Sequence, residues 1–316
     1  MRAGLFGGVL EAPITIPGAL DHSTTAPTWQ LVFQQVLEPM ESPVLVGDDS
    51  APPCGILLYR HARGFRLLHN CTGEFDVLAS GAVIHLVRAA DASDEAIAND
   101  VIGRVLAIAM HAAGDLCLHA SAVAIDDRVI AFMASKGTGK STLATALLGA
   151  GAAFVTDDAL RIRFTDAGPV AEPGVHALRL RDDSLAAVND SGLASRRAFD
   201  GKNAIDHVPK ARCAAGPLPI DALYLVCPVP AEAAEDVTRV RQDDFAAVMS
   251  LVAHGKLGTL LGGDEGGKQF SRIAAVAAQV PVYVVNVVRD LDRVGSVASQ
   301  IVEWHGDAMV PLAQDS

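Results

Sequence analysis

The segment Ala134-Ser135-Lys136-Gly137-Thr138-Gly139-Lys140-Ser141 has the residue types and spacing to wrap a phosphate. It follows the G-x-x-x-x-G-K-[ST] pattern except at the first position, where alanine stands for glycine. Gly137 and Gly139 permit the torsions by which successive backbone N–H groups turn inward. Lys140 would place a point charge against the β/γ-phosphates of ATP, and Ser141 would give a hydroxyl to Mg²⁺. Ser135, Lys136, Thr138 and Thr142 complete the expected phosphate-binding set. A helix starting at Lys140 would add its free N–H groups and the positive end of its dipole. Alanine at 134 costs about 1–2 kcal/mol if that position needs a positive φ, and nothing if it lies in β torsions. Several charge-assisted hydrogen bonds, each worth about 1.5–3 kcal/mol, absorb either cost.

Further groups are expected to converge on this loop. Asp157-Asp158 closes a short apolar run. In a parallel sheet, ligands lie beyond the carboxyl ends of the strands. If the 152–156 run lies beside the loop strand, both carboxylates face the phosphates, one for Mg²⁺ and one as base toward an incoming hydroxyl. His119 reaches the same place by register. With Asp126-Asp127 as a two-residue turn, Ile125 faces Arg128, Ser121 faces Phe132, and His119 faces Ala134. Lys202, Lys210 and Arg212 stand in a polar stretch from which a cation can close over phosphates, or simply meet solvent.

These side chains need a scaffold. Cys117 to Ile125 and Arg128 to Ala134 read as a β-hairpin, Lys140 to Leu148 as the helix after the loop, and Ala152 to Thr156 and Leu160 to Thr165 as strands. Ile220 to Val229 and Val282 to Val288 read as buried strands, and Asp243 to His254, Lys268 to Gln279 and Leu291 to Trp304 as helices. Gly262 to Gly267 reads as a glycine-rich turn. Upstream, Ile56 to Tyr59, Gly64 to Leu68 and Ala82 to Val87 read as strands before a helix at Glu95 to Ala112, which Gly114 ends.

The chain has 316 residues, room for one large or two modest domains at about 150 residues each. Half its residues are hydrophobic, enough for a sizeable core. Its 25 basic against 37 acidic residues give a formal charge of −12, which argues against nucleic acid as a partner. No run approaches a membrane span, and Met1 to Pro17 lacks the pattern of a signal peptide. The five cysteines, Cys54, Cys71, Cys117, Cys213 and Cys227, show no metal-ligand spacing; they read as reduced thiols of a cytoplasmic protein.

Three runs together, Leu118-His-Ala-Ser-Ala-Val123, Gly137-Thr-Gly-Lys-Ser-Thr142 and Thr156-Asp-Asp158, resemble the HPr kinase/phosphorylase superfamily, whose nucleotide domain is similar to that of phosphoenolpyruvate carboxykinase. The likeness is good over roughly 115–165 and thinner beyond, where Val280-Pro-Val-Tyr283 also fits. It implies an α/β P-loop kinase domain with a mixed sheet at 111–316, behind a small α+β domain at 1–110. It implies Asp157 as general base with His119 beside it, and metal held by Ser141 and Asp158. Thr142 replaces the acidic residue that usually follows the loop serine in the kinases that act on HPr. The chain is more similar to the related proteins of bacterial peptide gene clusters, some of which phosphorylate a serine of a lasso precursor peptide. The resemblance thus implies ATP and Mg²⁺ as cofactors and a peptide or protein with a serine hydroxyl as substrate, with homo-oligomerisation left open. A small-molecule kinase and a non-catalytic ATP-binding regulatory module are the alternatives.

Overall fold

The computed structural model describes residues 1–21, 24–49, 54–135, 137–180, 182, 196–197, 203–205 and 208–306. Its centre is the hairpin of strands Ala120–Ile125 and Arg128–Met133. Asp126 and Asp127 both take positive φ, 48° and 57°, as a two-residue hairpin turn requires. Ile125 faces Arg128, Val123 faces Ile130 and Ser121 faces Phe132, as the register argument expects. The ladder ends at Ala120 opposite Met133, so His119 does not reach Ala134. At His119 the chain leaves this pairing. Its N–H donates to the His254 carbonyl at 2.7 Å, and Leu116–Leu118 pairs instead with Leu160–Thr165.

Arg128–Met133 runs parallel to Leu218–Val229, which runs parallel to Val282–Val288. Ala153–Thr156 pairs antiparallel with Ala120–Ile125. That strand therefore points the same way as the loop strand but lies one strand removed from it. Their carboxyl ends still share one edge of the sheet, which keeps Asp157 and Asp158 on the side of the loop.

The side-chain period of two divides the strands between two cores. Ala120, Ala122, Val129, Ala131 and Met133 face the helices Asp244–Ala253 and Gly263–Ala277. Val123, Ile130, Phe132, Ala222 and Tyr224 face the helices Lys140–Gly149 and Val294–Gly306. The result is a mixed sheet covered on both faces, the arrangement that buries near-continuous apolar strands.

A second nine-stranded sheet is built from residues 2–88. Its core extends through the helical stretch 94–112 and also takes in Leu257, Leu260 and Leu261. Polar contacts tie the two sheets together. Arg161 bonds the Phe6 carbonyl at 2.6 Å, pairs with Asp115 at 2.6 Å, and lies over the Trp29 ring. Glu265, buried, meets His111 at 2.9 Å, Lys268 at 2.8 Å and Arg60 at 3.1 Å. Among the described residues no helix is long and apolar enough to cross a membrane.

Three expectations need correction. The glycines at 262–267 do not form a turn between helices; the helix begins at Gly263, with Gly266 and Gly267 inside it. Asp264 and Glu265 in its first turn suit the positive end of the dipole, and Glu265 is held by the two cations and the imidazole around it, which offsets the low helix propensity of glycine. The helix at 94–112 is interrupted by a π-helical turn, Val101–Val105. The cysteines are not all thiols: Cys54 and Cys71 form a disulfide, while Cys117, Cys213 and Cys227 are free.

Candidate active site

The loop has the strand–loop–helix context its pattern demands. Gly137 and Gly139 take φ of +85° and +104°, which side-chain-bearing residues adopt only under strain. Ala134 is buried and does not take positive φ, so alanine in place of the first glycine carries no backbone cost there. Thr138 Oγ1 donates to the Ser135 carbonyl at 2.9 Å and closes the turn. The buried Lys140 ammonium donates to the Ala134 carbonyl at 2.7 Å, folded back across the loop that it would serve. Thr142 is buried in the first turn of the helix. Lys136 lies outside the described residues.

Asp157 is joined directly to the loop. Ser141 Oγ donates to its Oδ1 at 2.9 Å, and the fully buried Ser121 donates to the same oxygen at 2.5 Å. The Arg179 backbone N–H approaches Oδ2 at 3.3 Å. Asp158 takes a φ of +79°, in the left-handed region that aspartate tolerates better than most residues. His119 Nδ1 lies 3.1 Å from both Asp158 Oδ1 and the Asp158 carbonyl, so that nitrogen carries the proton and Nε2 is the basic one. Lys256 Nζ pairs with Asp158 Oδ2 at 2.6 Å. Desolvation works against the ionised Asp158 carboxylate. The Lys256 ammonium and the bond from His119 outweigh it and hold its pKa well below the usual carboxylate range. His254, whose carbonyl accepts the His119 N–H, is pushed below the usual histidine range, first by burial and further by the charges of Lys140 and His119; its bond to the Ser250 carbonyl works the other way.

The π-helical turn passes this cluster. A Cβ added at Gly103 would stand 4.0 Å from Asp158 Oδ2, which puts the turn beside that carboxylate. Such turns occur often at functional sites.

The structure therefore brings Gly137, Thr138, Gly139, Lys140, Ser141, Asp157, Asp158 and His119 together, with His119 reaching the site through Asp158 rather than across the hairpin. The expected phosphate clamps fare differently. Arg212 donates to the Leu148 carbonyl at 2.8 Å. Leu148 is seven residues beyond Ser141, about 10 Å along the helix at 1.5 Å per residue, so Arg212 caps the end opposite the loop. Lys210 is exposed two residues before it, and Lys202 lies outside the described residues. The cation that does reach the paired aspartates is Lys256, which together with Ser121 went unforeseen. Ser121 had a signal: it precedes the last rung of a hairpin whose register was readable. Lys256 had none, because 98 residues separate it from Asp158.

No family model matches the chain, and no curated protein matches it. Among solved structures it is similar to the Hpr(Ser) kinase/phosphatase from Coxiella burnetii, at 13% identity over 60% of this chain and 95% of that one, with a TM-score of 0.32. Superposition at that level transfers no residue's role from one chain to the other.

Proposed function

We propose that the chain is an ATP-dependent kinase that transfers a phosphoryl group to a serine hydroxyl of a peptide or protein. The observation that carries the reading is the 2.9 Å bond between Ser141 of the loop and Asp157. It puts a carboxylate beside the loop's serine, the pairing by which nucleotide-binding loops hold a metal-bound phosphate. The oxygens of Ser141, Asp157 and Asp158 are hard donors that suit Mg²⁺ and would not suit a soft ion. Ser141 and Asp158 would hold the metal, which supplies neutralisation of phosphate charge when bound.

The protein's own residues do the rest. The loop N–H groups and Lys140 orient the phosphates and stabilise charge that builds on them. Asp157, the carboxylate bonded to the loop serine, accepts the proton of the incoming hydroxyl. His119 fixes the orientation of Asp158. The Ser141–Asp157 bond favours one variant of this assignment, with Asp157 on the metal side. The two are separable: an Asp157→Asn enzyme that regains activity at high Mg²⁺ has lost a metal ligand, and one that does not has lost its base.

The choice of a peptide acceptor, of the lasso-precursor kind, follows the resemblance at 118–123, 137–142 and 156–158. An enzyme that consumes ATP works where ATP is made, and we place it in the cytoplasm. The test is transfer of labelled γ-phosphate from Mg²⁺·ATP to a panel of serine peptides, including precursor peptides encoded beside this gene, and small hydroxyl compounds. Label on a peptide serine supports the proposal. Label only on small compounds overturns the substrate class, and binding without transfer to any acceptor favours the regulatory module.

A further inference from the structure

We propose that Cys54, Cys71 and His69 form a metal site of the zinc class when the Cys54–Cys71 disulfide is reduced. The hairpin Ile56–His61 and Gly64–His69 puts Ile56 opposite His69. The Asn70 N–H bonds the Gly55 carbonyl at 3.3 Å, so the ladder runs on by another rung. Two residues out from the Ile56–His69 pair, Cys54 stands opposite Cys71, with Cα atoms 5.7 Å apart. His69 ends its strand, and Cys71 lies in the short turn between it and Gly73, which pairs with His69. A ring nitrogen of His69 and the two sulfurs all lie within 4.8 Å of one another. Two thiolates on one tetrahedral ion, at about 2.3 Å each, sit about 3.8 Å apart, so small side-chain rotations suffice to admit a metal.

The histidine is already prepared as a ligand. The buried Asp100 carboxylate lies 2.5 Å from Nδ1, and Thr72 Oγ1 lies 2.7 Å from the same nitrogen. Asp100 is itself fixed by Thr72 at 2.6 Å and Arg104 at 3.0 Å. A carboxylate on Nδ1 sets the tautomer with the lone pair on Nε2, which is how proteins hold zinc-ligating histidines. Two thiolates and one imidazole, with water in the fourth position, favour Zn²⁺ over the hard ions that suit the phosphate loop. Cys71 is exposed and Cys54 half-buried, so a reductant can reach the bond.

The chemistry balances. A dithiol reductant gives two electrons and two protons, the sulfur–sulfur bond breaks, two S–H groups form, and the reductant becomes its own disulfide. Metal entry then forms two metal–sulfur bonds and one metal–nitrogen bond, and releases both thiol protons to solvent.

The test is a Co²⁺ titration of the full chain, reduced and kept free of oxygen. The expected result is one equivalent bound with thiolate-to-cobalt charge-transfer absorption and tetrahedral d–d bands. Both should be absent from the oxidised protein and from Cys71→Ser, and Asp100→Asn should weaken binding roughly 10–100-fold. Charge transfer that is missing in the reduced wild type, or that persists in Cys71→Ser, overturns the proposal. Should the variants misfold, the wild type alone decides: Zn²⁺ should protect Cys54 and Cys71 of the reduced protein from alkylation and leave labelling of Cys227 unchanged. Labelling of Cys54 and Cys71 that is the same with and without Zn²⁺ overturns it.

Discussion

Two carboxylate–histidine pairs in this chain use the same groups in different solvent. His119 and Asp158, beside the phosphate loop, keep about a third and a half of their side-chain surface exposed. His69 and Asp100, in the first sheet, keep almost none. The buried arrangement is completed within the protein, by Thr72 and Arg104. The same holds for Asp76, which is buried between His61 and Arg66. The exposed arrangement leaves room for a reacting molecule and borrows Lys256 to stay ionised. A carboxylate that water can reach costs little to hold and can meet a substrate. One that water cannot reach must have every partner supplied, and its value is in orientation and packing.

That contrast is open to attack by substitution. Asp157→Asn should lower turnover about 10²–10⁴-fold, the contribution of a positioned general base. It should leave the fold nearly as stable, because the amide oxygen still accepts from Ser121 and Ser141; single-turnover rates and urea titrations measure the two effects. Asp76→Ala should do the reverse. It strands Arg66 and His61 in the core of the first sheet, a loss of about 3–5 kcal/mol in urea unfolding, while the fraction still folded binds ATP as tightly as before. A strong loss of turnover per folded molecule in that variant would contradict the division between the two regions.

Acid should weaken the whole molecule. Burial lowers the pKa of His111, His254 and His305, against the partial opposition of Glu265, the Ser250 carbonyl and Asp221 respectively. A group whose folded pKa is depressed contributes stability that is complete above its unfolded value, near 6.5 for histidine, and is lost as pH falls. The unfolding free energy should therefore fall as pH drops from 7.5 toward 5.5, by at most about 1.4 kcal/mol per pH unit for each proton taken up, and the thermal midpoint should fall with it. A flat profile would mean that these rings are not held neutral. Lys256→Ala should have the smallest effect on stability, below about 1 kcal/mol, because Asp158 remains half-exposed. Its signature lies elsewhere: without the ammonium the Asp158 pKa rises, and the acid limb of the pH–rate profile should move upward.

Much of the scaffold was legible because local chemistry decides it. Asp126-Asp127 accepts two positive φ values, and that turn fixes the register from Ile125 to Ser121. Leu160–Thr165 and Val282–Val288 fall where apolar, β-branched runs end at turn residues. The loop glycines announce their torsions. What was not legible depends on tertiary placement. His119 leaves its ladder to pair with the backbone of His254, and Lys256 arrives from the end of a distant helix. The glycines at 263–267 are helical because Glu265 is captured across the seam by His111 and Arg60, which no local propensity reveals. The Cys54–Cys71 pairing was not legible, because Cys71 lies in the turn between Gly64–His69 and Gly73–Leu78, where no periodicity points to a partner.

The most direct test is Mg²⁺·ATP binding and turnover compared in wild type, Lys140→Ala and Asp157→Asn. Wild type should bind and transfer phosphate, with saturating ligand at about 100 Kd stabilising the fold by about 2.7 kcal/mol. Asp157→Asn should bind comparably and fail to transfer, and Lys140→Ala should lose most of the stabilisation. Wild type that gains no stability from Mg²⁺·ATP at any concentration would contradict the assignment of Ala134 to Ser141 as a nucleotide loop.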